Sequence, residues 1–203
     1  MCNMREYVEA YAFRALEEFT RKEFPQALRT LSKALAMEPA SDLALLLRSD
    51  VWMATHHPRR ALRDLDGLLE RHPGCVAGYL RRAEARLAMG HWKAAVRNCS
   101  QVLAQDARNT PALHLRAIVL VDRRRLPMAL EDLDRLLGID PENFEARIDR
   151  GFVRYMLGDL NGSRGDLIRA LDLPASGGPS RRSAARLLRH LRRMQQLPLP
   201  RTG

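Results

Sequence analysis

Apolar positions recur along the chain with the 3.6-residue spacing of a helix face, in stretches of about twelve and then about fourteen residues. A short polar or Gly/Pro segment splits each pair of stretches: "TRKEFP", "THHPRR", "AMGHWK", "DRRRLP" and "LGDLNG". Each pair predicts a helical hairpin.

The hairpins repeat. "PQALRTLSKALAMEP" at 25–39 returns as "RRALRDLDGLLERHP" at 59–73 and "PMALEDLDRLLGIDP" at 127–141, offsets of 34 and 102 residues. Units of 34 residues starting at Val8, Asp42, Val76, Thr110 and Phe144 stay in register without insertion. They divide an array over 1–174 into 8–41, 42–75, 76–109, 110–143 and a truncated 144–174. A fixed period of that size means stacked supersecondary units, none of which buries its apolar face alone.

Pro25, Pro58 and Pro127 stand where the second helix begins, a place where the missing amide costs no hydrogen bond. Pro39, Pro73 and Pro141 close the unit, because a proline forces its predecessor out of the helical region. The eighth place of the units reads Ala15, Ser49, Ala83, Ala117, Gly151 and the twentieth reads Ala27, Ala61, Ala95, Ala129, Ser163. Small side chains let facing axes approach to roughly 8–10 Å, so these columns predict where the two helices of a hairpin meet. Leu31, Leu65, Cys99, Leu133 and Leu167 at the twenty-fourth place are candidate core.

A 34-residue hairpin with these two small columns, an apolar residue before the second helix (Phe24, Trp92, Leu126, Leu160) and a closing proline resembles the tetratricopeptide repeat, over about residues 8–174. The resemblance implies an all-α, right-handed superhelical solenoid of about five hairpins whose first helices line a concave binding groove. Two local departures stand out. Ala107 replaces the closing proline of unit three, and Gly162, Ser163 and Gly165 fall inside the second helix of unit five. Each Gly there costs about 1 kcal/mol relative to Ala, which predicts the softest helix of the array.

Composition agrees with an all-helical chain: 5% of residues are aromatic, and Leu, Arg and Ala dominate. The formal charge of +10 changes the picture only at one end. Residues 175–203 hold seven arginines and no carboxylate, leaving 27 basic against 24 acidic residues, a net +3, before them. "ASGGPS" predicts a flexible linker over 175–180, followed by a basic amphipathic helix over 181–197 and a tail over 198–203. In that helix Ala184, Leu187, Leu188, Leu191 and Met194 form one stripe, and Arg181, Arg182, Arg186, Arg189, Arg192 and Arg193 are the basic residues. Three readings are open: a cap with a polar outer face, a contact with an anionic membrane or nucleic acid, and a plug folded back into the groove.

An unbroken arginine column occupies the seventh place: Arg14, Arg48, Arg82, Arg116, Arg150. It reads either as a phosphate track or as one half of a pairing, because Thr30, Asp64, Asn98, Asp132 and Asp166 stand sixteen residues later on the second helix. The matched acceptor column favours pairing within each hairpin.

Candidate chemistry is sparse. The histidines show no H-E-x-x-H spacing and no cysteine joins them, so neither a metal nor a cofactor is expected. The carboxylate pairs Asp64/Asp66 and Asp132/Asp134 are copies of one repeat position, whereas a catalytic dyad need occur once; no enzyme is expected. Cys2, Cys75 and Cys99 are odd in number and far apart, which suits a reducing compartment. "MCNMREYVEAYAF" carries charge where a signal peptide needs an apolar run. A cytoplasmic or nuclear protein is expected.

The first-helix face opposite the small column gives the candidate groove. Its residues are Leu46, Asp50 and Met53; Leu80, Glu84 and Leu87; His114, Ile118 and Val121; Ile148, Phe152 and Tyr155. In chaperone-binding relatives of the resembled family, Lys, Asn and Arg in this groove clamp a peptide's terminal carboxylate. The corresponding places here are Ala12, Leu16, Leu47, Ala77 and Arg81, so that role is disfavoured. The expected function is an adaptor or scaffold binding an apolar or amphipathic protein segment. The alternative is a nucleic-acid-associated protein using the C-terminal helix.

Overall fold

The computed structural model describes residues 4–173 and 178–196. Among them are eleven helices: α1 (Met4–Thr20), α2 (Phe24–Met37), α3 (Asp42–Ala54), α4 (Pro58–Arg71), α5 (Val76–Ala88), α6 (Trp92–Gln105), α7 (Thr110–Asp122), α8 (Leu126–Ile139), α9 (Phe144–Met156), α10 (Leu160–Asp172) and α11 (Pro179–Gln196). They fall into two compact units, Met1–Ala107 and Arg108–Gly203.

Short side chains start α3, α5, α7 and α9, the first helices of four hairpins. Ser41, Cys75, Asn109 and Asn143 each accept a hydrogen bond from the amide three residues on, at Ala44, Gly78, Ala112 and Ala146. The second helices start differently. α2, α4 and α8 have proline in the first turn and no side-chain cap, while Asp159 caps α10 by accepting from the Gly162 amide at 2.8 Å. A Cβ on Gly162 would stand 2.0 Å from the Asp159 carboxylate, so this glycine makes room for the cap besides lowering helix propensity.

The turn inside every hairpin needs one left-handed residue. Lys22 (φ 62°), His56 (60°), Gly90 (74°), Arg124 (57°) and Gly158 (87°) occupy it, at intervals of 34 residues. Only two are glycine, the residue that adopts this conformation without steric cost.

Both small columns are buried. The eighth-place residues Ala15, Ser49, Ala83 and Ala117 and the twentieth-place alanines are almost fully covered. At Gly151 a Cβ would meet Leu167 carbons at 3.1 Å, so the α9/α10 contact has no room for a larger residue. In the first unit, Leu31, Ala34 and Val51 join Leu68 and Leu69 in one core. In the second, Leu167 and Ala170 of α10 join Ile148 of α9 and Ala184, Leu187, Leu188 and Leu191 of α11.

That last core makes α11 a cap on the final hairpin. Burying its leucines stabilises the contact by about 1.5–3 kcal/mol for each side chain fully covered. The helix takes in Pro179 and Ser180, which the sequence assigned to a linker; residues 174–177 and the tail over 198–203 lie outside the described residues, as does the side chain of Met194. No described helix is long and apolar enough to cross a membrane.

Candidate functional site

The arginine column is a structural ladder. In the first unit Arg48 donates from Nε and Nη2 to Asp64 at 2.8 and 2.6 Å. Arg82 donates from Nη1 to Asp66 at 2.9 Å and from Nη2 to Asn98 at 3.4 Å. In the second, Arg116 forks onto Asp132 at 2.8 and 2.6 Å. Arg150 holds Asp166 at 2.9 and 2.6 Å and Asp134 at 2.8 Å.

The duplicated carboxylates therefore have distinct tasks. Asp64 and Asp132 bind the arginine sixteen residues back, within the hairpin, while Asp66 and Asp134 bind the arginine sixteen residues forward, in the next hairpin. Burial draws the Arg150 guanidinium down, but its hydrogen bonds to Asp166 and Asp134 and their charges outweigh it and hold it above its ordinary value. The first hairpin departs from the expected pairing. Arg14 donates to Glu18 at 3.0 Å, and Thr30 donates to the other oxygen of Glu18 at 2.7 Å. Glu18, one turn on from Arg14, supplies the carboxylate that Thr30 lacks.

On α3 and α5, Leu46, Met53, Leu80 and Leu87 are half-buried. Arg81 donates to both oxygens of Asp50 at 2.7 and 2.9 Å. That hydrogen bonding raises Arg81 against the effect of burial. Desolvation raises the Glu84 carboxyl, with Arg81 opposing and Asp50 adding to the rise.

In the second unit His114 Nε2 lies 2.7 Å from Asp149 Oδ2, bridging α7 and α9. Asp149 also lines a cavity of about 290 Å³, together with Ile118, Val121, Asp122, Phe152 and Met156. Ile148 is not part of it. It is 2% exposed under α11, and Phe152 and Tyr155 pack partly against the same core.

Two family models, each described as tetratricopeptide repeat, match residues 80–144 and 115–193, together more than half of the sequence. The chain belongs to the tetratricopeptide repeat family. It is 26% identical over 91 residues, 45% of its length, to the TPR repeat-containing thioredoxin TDX of Arabidopsis thaliana. It is also 26% identical over 92 residues, 45% of its length, to Hsc70-interacting protein 1 of Drosophila melanogaster. The match spans 24% of each of these relatives. Among solved structures, pilF of Pseudomonas aeruginosa superposes with a TM-score of 0.78 at 15% identity, over 97% of this chain and 95% of that one.

As a tetratricopeptide protein, the chain carries a basic terminal helix whose stripe of leucines is taken up by α9 and α10. Arg182, Arg186, Arg189, Arg192 and Arg193 remain exposed. Arg181 does not belong with them. It turns back to donate to the carbonyls of Leu171 and Leu173 at the end of α10 and lies over the Phe144 ring, a placement that suits the negative end of a helix.

A second basic cluster lies where the sequence "THHPRR" predicts only a turn. His56, His57, Arg59, Arg60 and Arg63 line a pocket of about 580 Å³ at the start of α4, with Met89 on one wall. The signal was the charge count of the turn: five basic groups among eight residues, 56–63, with no carboxylate. Among the described residues no cluster of His, Cys, Asp or Glu is arranged to hold a metal ion.

Proposed function

We propose that this tetratricopeptide protein is a non-enzymatic adaptor that holds an amphipathic segment of a partner protein against the first-helix face. The observation that carries the reading is the cavity between α7 and α9, mostly apolar in its lining but including Asp122 and Asp149. It suits a large apolar side chain with a neighbouring Lys or Arg. The relatives support the coarser part of this reading, a protein-binding scaffold, since one bears the name of an Hsc70-interacting protein. A terminal-carboxylate clamp fits poorly, because Arg81 already holds Asp50 through two hydrogen bonds.

Selection from a random peptide display library against the full chain tests this. The expected winners pair a large apolar residue with a flanking Lys or Arg, and Ile118→Glu weakens them by about tenfold or more. Ile118 is 38% exposed, so the fold tolerates the change. A library that yields no such sequence, or winners indifferent to Ile118→Glu, rejects the adaptor reading.

One observation favours a second reading. Arg182, Arg186, Arg189 and Arg193 follow one another at helical spacing on the exposed side of α11, as a nucleic-acid contact would require. Oligonucleotide binding that weakens steeply with salt, and loses slope when these four become Gln, supports it.

A further inference from the structure

We propose that the pocket of His56, His57, Arg59, Arg60 and Arg63 is a docking site for an acidic segment of a protein partner, one presenting two or three neighbouring carboxylates. It is separate from the α7/α9 cavity and does not rest on the role assigned there.

The local chain concentrates the charge. His56 takes the left-handed conformation that reverses the backbone, and Pro58 opens α4 immediately after. Arg59 and Arg60 then stand on the first turn, and Arg63 follows one turn later on the same side. Like charges at this spacing repel one another, and a structural role would bring carboxylates to offset them. Here the flanking carboxylates are already engaged: Asp50 with Arg81, Asp64 with Arg48, Asp66 with Arg82. Among the described residues Arg59, Arg60 and Arg63 have no carboxylate within ion-pair distance. All three are exposed. The ladder arginines contrast with them, each being fastened to its own acid.

The pocket is also shaped for side-chain carboxylates. Guanidinium forks bind carboxylates in bidentate fashion, and the α4 N-terminus, which lacks a side-chain cap, adds the positive end of its dipole. Met89 gives an apolar wall for the methylenes of a glutamate. Nucleic acid fits less well. Among the described residues no aromatic ring besides the histidines lines the pocket. The neighbouring Trp52 packs on the Ala61/Leu65/Ala85 core and already carries the Arg60 guanidinium 4.6 Å from its centroid and His57 edge-on at 5.7 Å, which leaves little open platform for a base. The cations also gather in one pocket rather than along a phosphate track.

The test uses the full chain, a fluorescein-labelled peptide with three consecutive glutamates, and a labelled oligothymidine of equal charge. Three proteins are compared: the parent, Arg59→Gln/Arg60→Gln/Arg63→Gln, and Arg182→Gln/Arg186→Gln/Arg189→Gln as a control for basic charge elsewhere. The peptide is expected to bind the parent and the α11 variant alike and the α4 variant about tenfold more weakly or worse, as lost charge-assisted hydrogen bonds require. In a Trp92→Phe background, Trp52 is the remaining indole, and its emission shifts on peptide binding as Arg60 leaves the ring. Equal peptide affinity for the α4 variant, an unchanged Trp52 signal at saturation, or tighter binding of oligothymidine through the same three arginines overturns the proposal. Ile118→Glu leaves this binding intact, which separates it from the adaptor test.

Discussion

Asp166 and Asn98 occupy the same place in two repeats and have opposite fates. Asp166 is 3% exposed and gathers three guanidiniums: Arg150 at 2.6 Å, Arg154 at 2.8 Å and Arg147 at 3.9 Å. Asn98, equally covered, accepts only long bonds from Arg82 (3.4 Å) and Arg86 (3.3 Å). Its own Nδ2 and the Nε of Arg82 are buried without a hydrogen-bond partner. Burial, with the nearby charge of Arg82, lowers the Arg86 guanidinium below its ordinary value. The backbone pattern is shared, so what differs is the charge each repeat supplies to meet its arginines, and even at Asp166 the Nε of Arg147 is buried without a hydrogen-bond partner.

The largest expected effect comes from turning the strong site into the weak one. Asp166→Asn leaves its arginines facing a neutral amide, and breaking a buried ionic cluster in this way costs about 3–5 kcal/mol. Urea denaturation followed by circular dichroism should show the loss, and a change below about 1 kcal/mol would mean that the cluster is neutral in net effect. The reverse exchange, Asn98→Asp, gives Arg82 and Arg86 a carboxylate and removes the orphaned amide. A gain of about 1–2 kcal/mol is expected, the worth of a charge-assisted hydrogen bond over a neutral one; a destabilised variant would show that desolvating the new charge outweighs the pairing.

A double-mutant cycle sharpens the same comparison. Arg86→Gln costs little beside Asn98 and more beside the introduced aspartate, with an expected coupling of about 1 kcal/mol. Zero coupling would detach Arg86 from the ladder.

Much of this architecture was legible in the sequence, for specific reasons. The hairpins follow from apolar periodicity and from prolines whose consequences are local. The small columns follow from the 34-residue frame, and Arg48–Asp64, Arg116–Asp132 and Arg150–Asp166 from a constant spacing between two helices of one hairpin. What escaped needs knowledge of neighbours. Asp66 and Asp134 reach the arginine of the following hairpin, a contact that exists only once hairpins stack. Glu18 replaces an expected acceptor from a position outside the column. Lys22, His56 and Arg124 carry a backbone conformation that only glycine advertises. The surroundings of Ile148 and Arg181 depend on where α11 docks, and the segment before that helix has no periodicity to say so.

The smallest predicted effect is the most discriminating for the idea that each arginine needs its own counter-charge. Asp66 and Asp134 are about equally exposed, 49% and 48%, and each accepts a hydrogen bond from one arginine of the following hairpin at 2.9 and 2.8 Å, Asp134 having Arg154 at 3.8 Å besides. Judged as surface ion pairs, both should contribute alike and below about 1 kcal/mol after solvent screening. They differ in what their arginine retains. Without Asp134, Arg150 still forks onto Asp166; without Asp66, Arg82 has only the long bond to Asn98. Asp66→Ala is therefore expected to cost more than Asp134→Ala, by a few tenths of a kcal/mol up to about 1. Adding Asn98→Asp should erase the difference, because Arg82 then keeps a carboxylate as Arg150 does. Equal costs in the parent chain would show that the exposed partner contributes the same wherever it stands, and the contrast between Asn98 and Asp166 would then be one of local hydrogen-bond geometry alone.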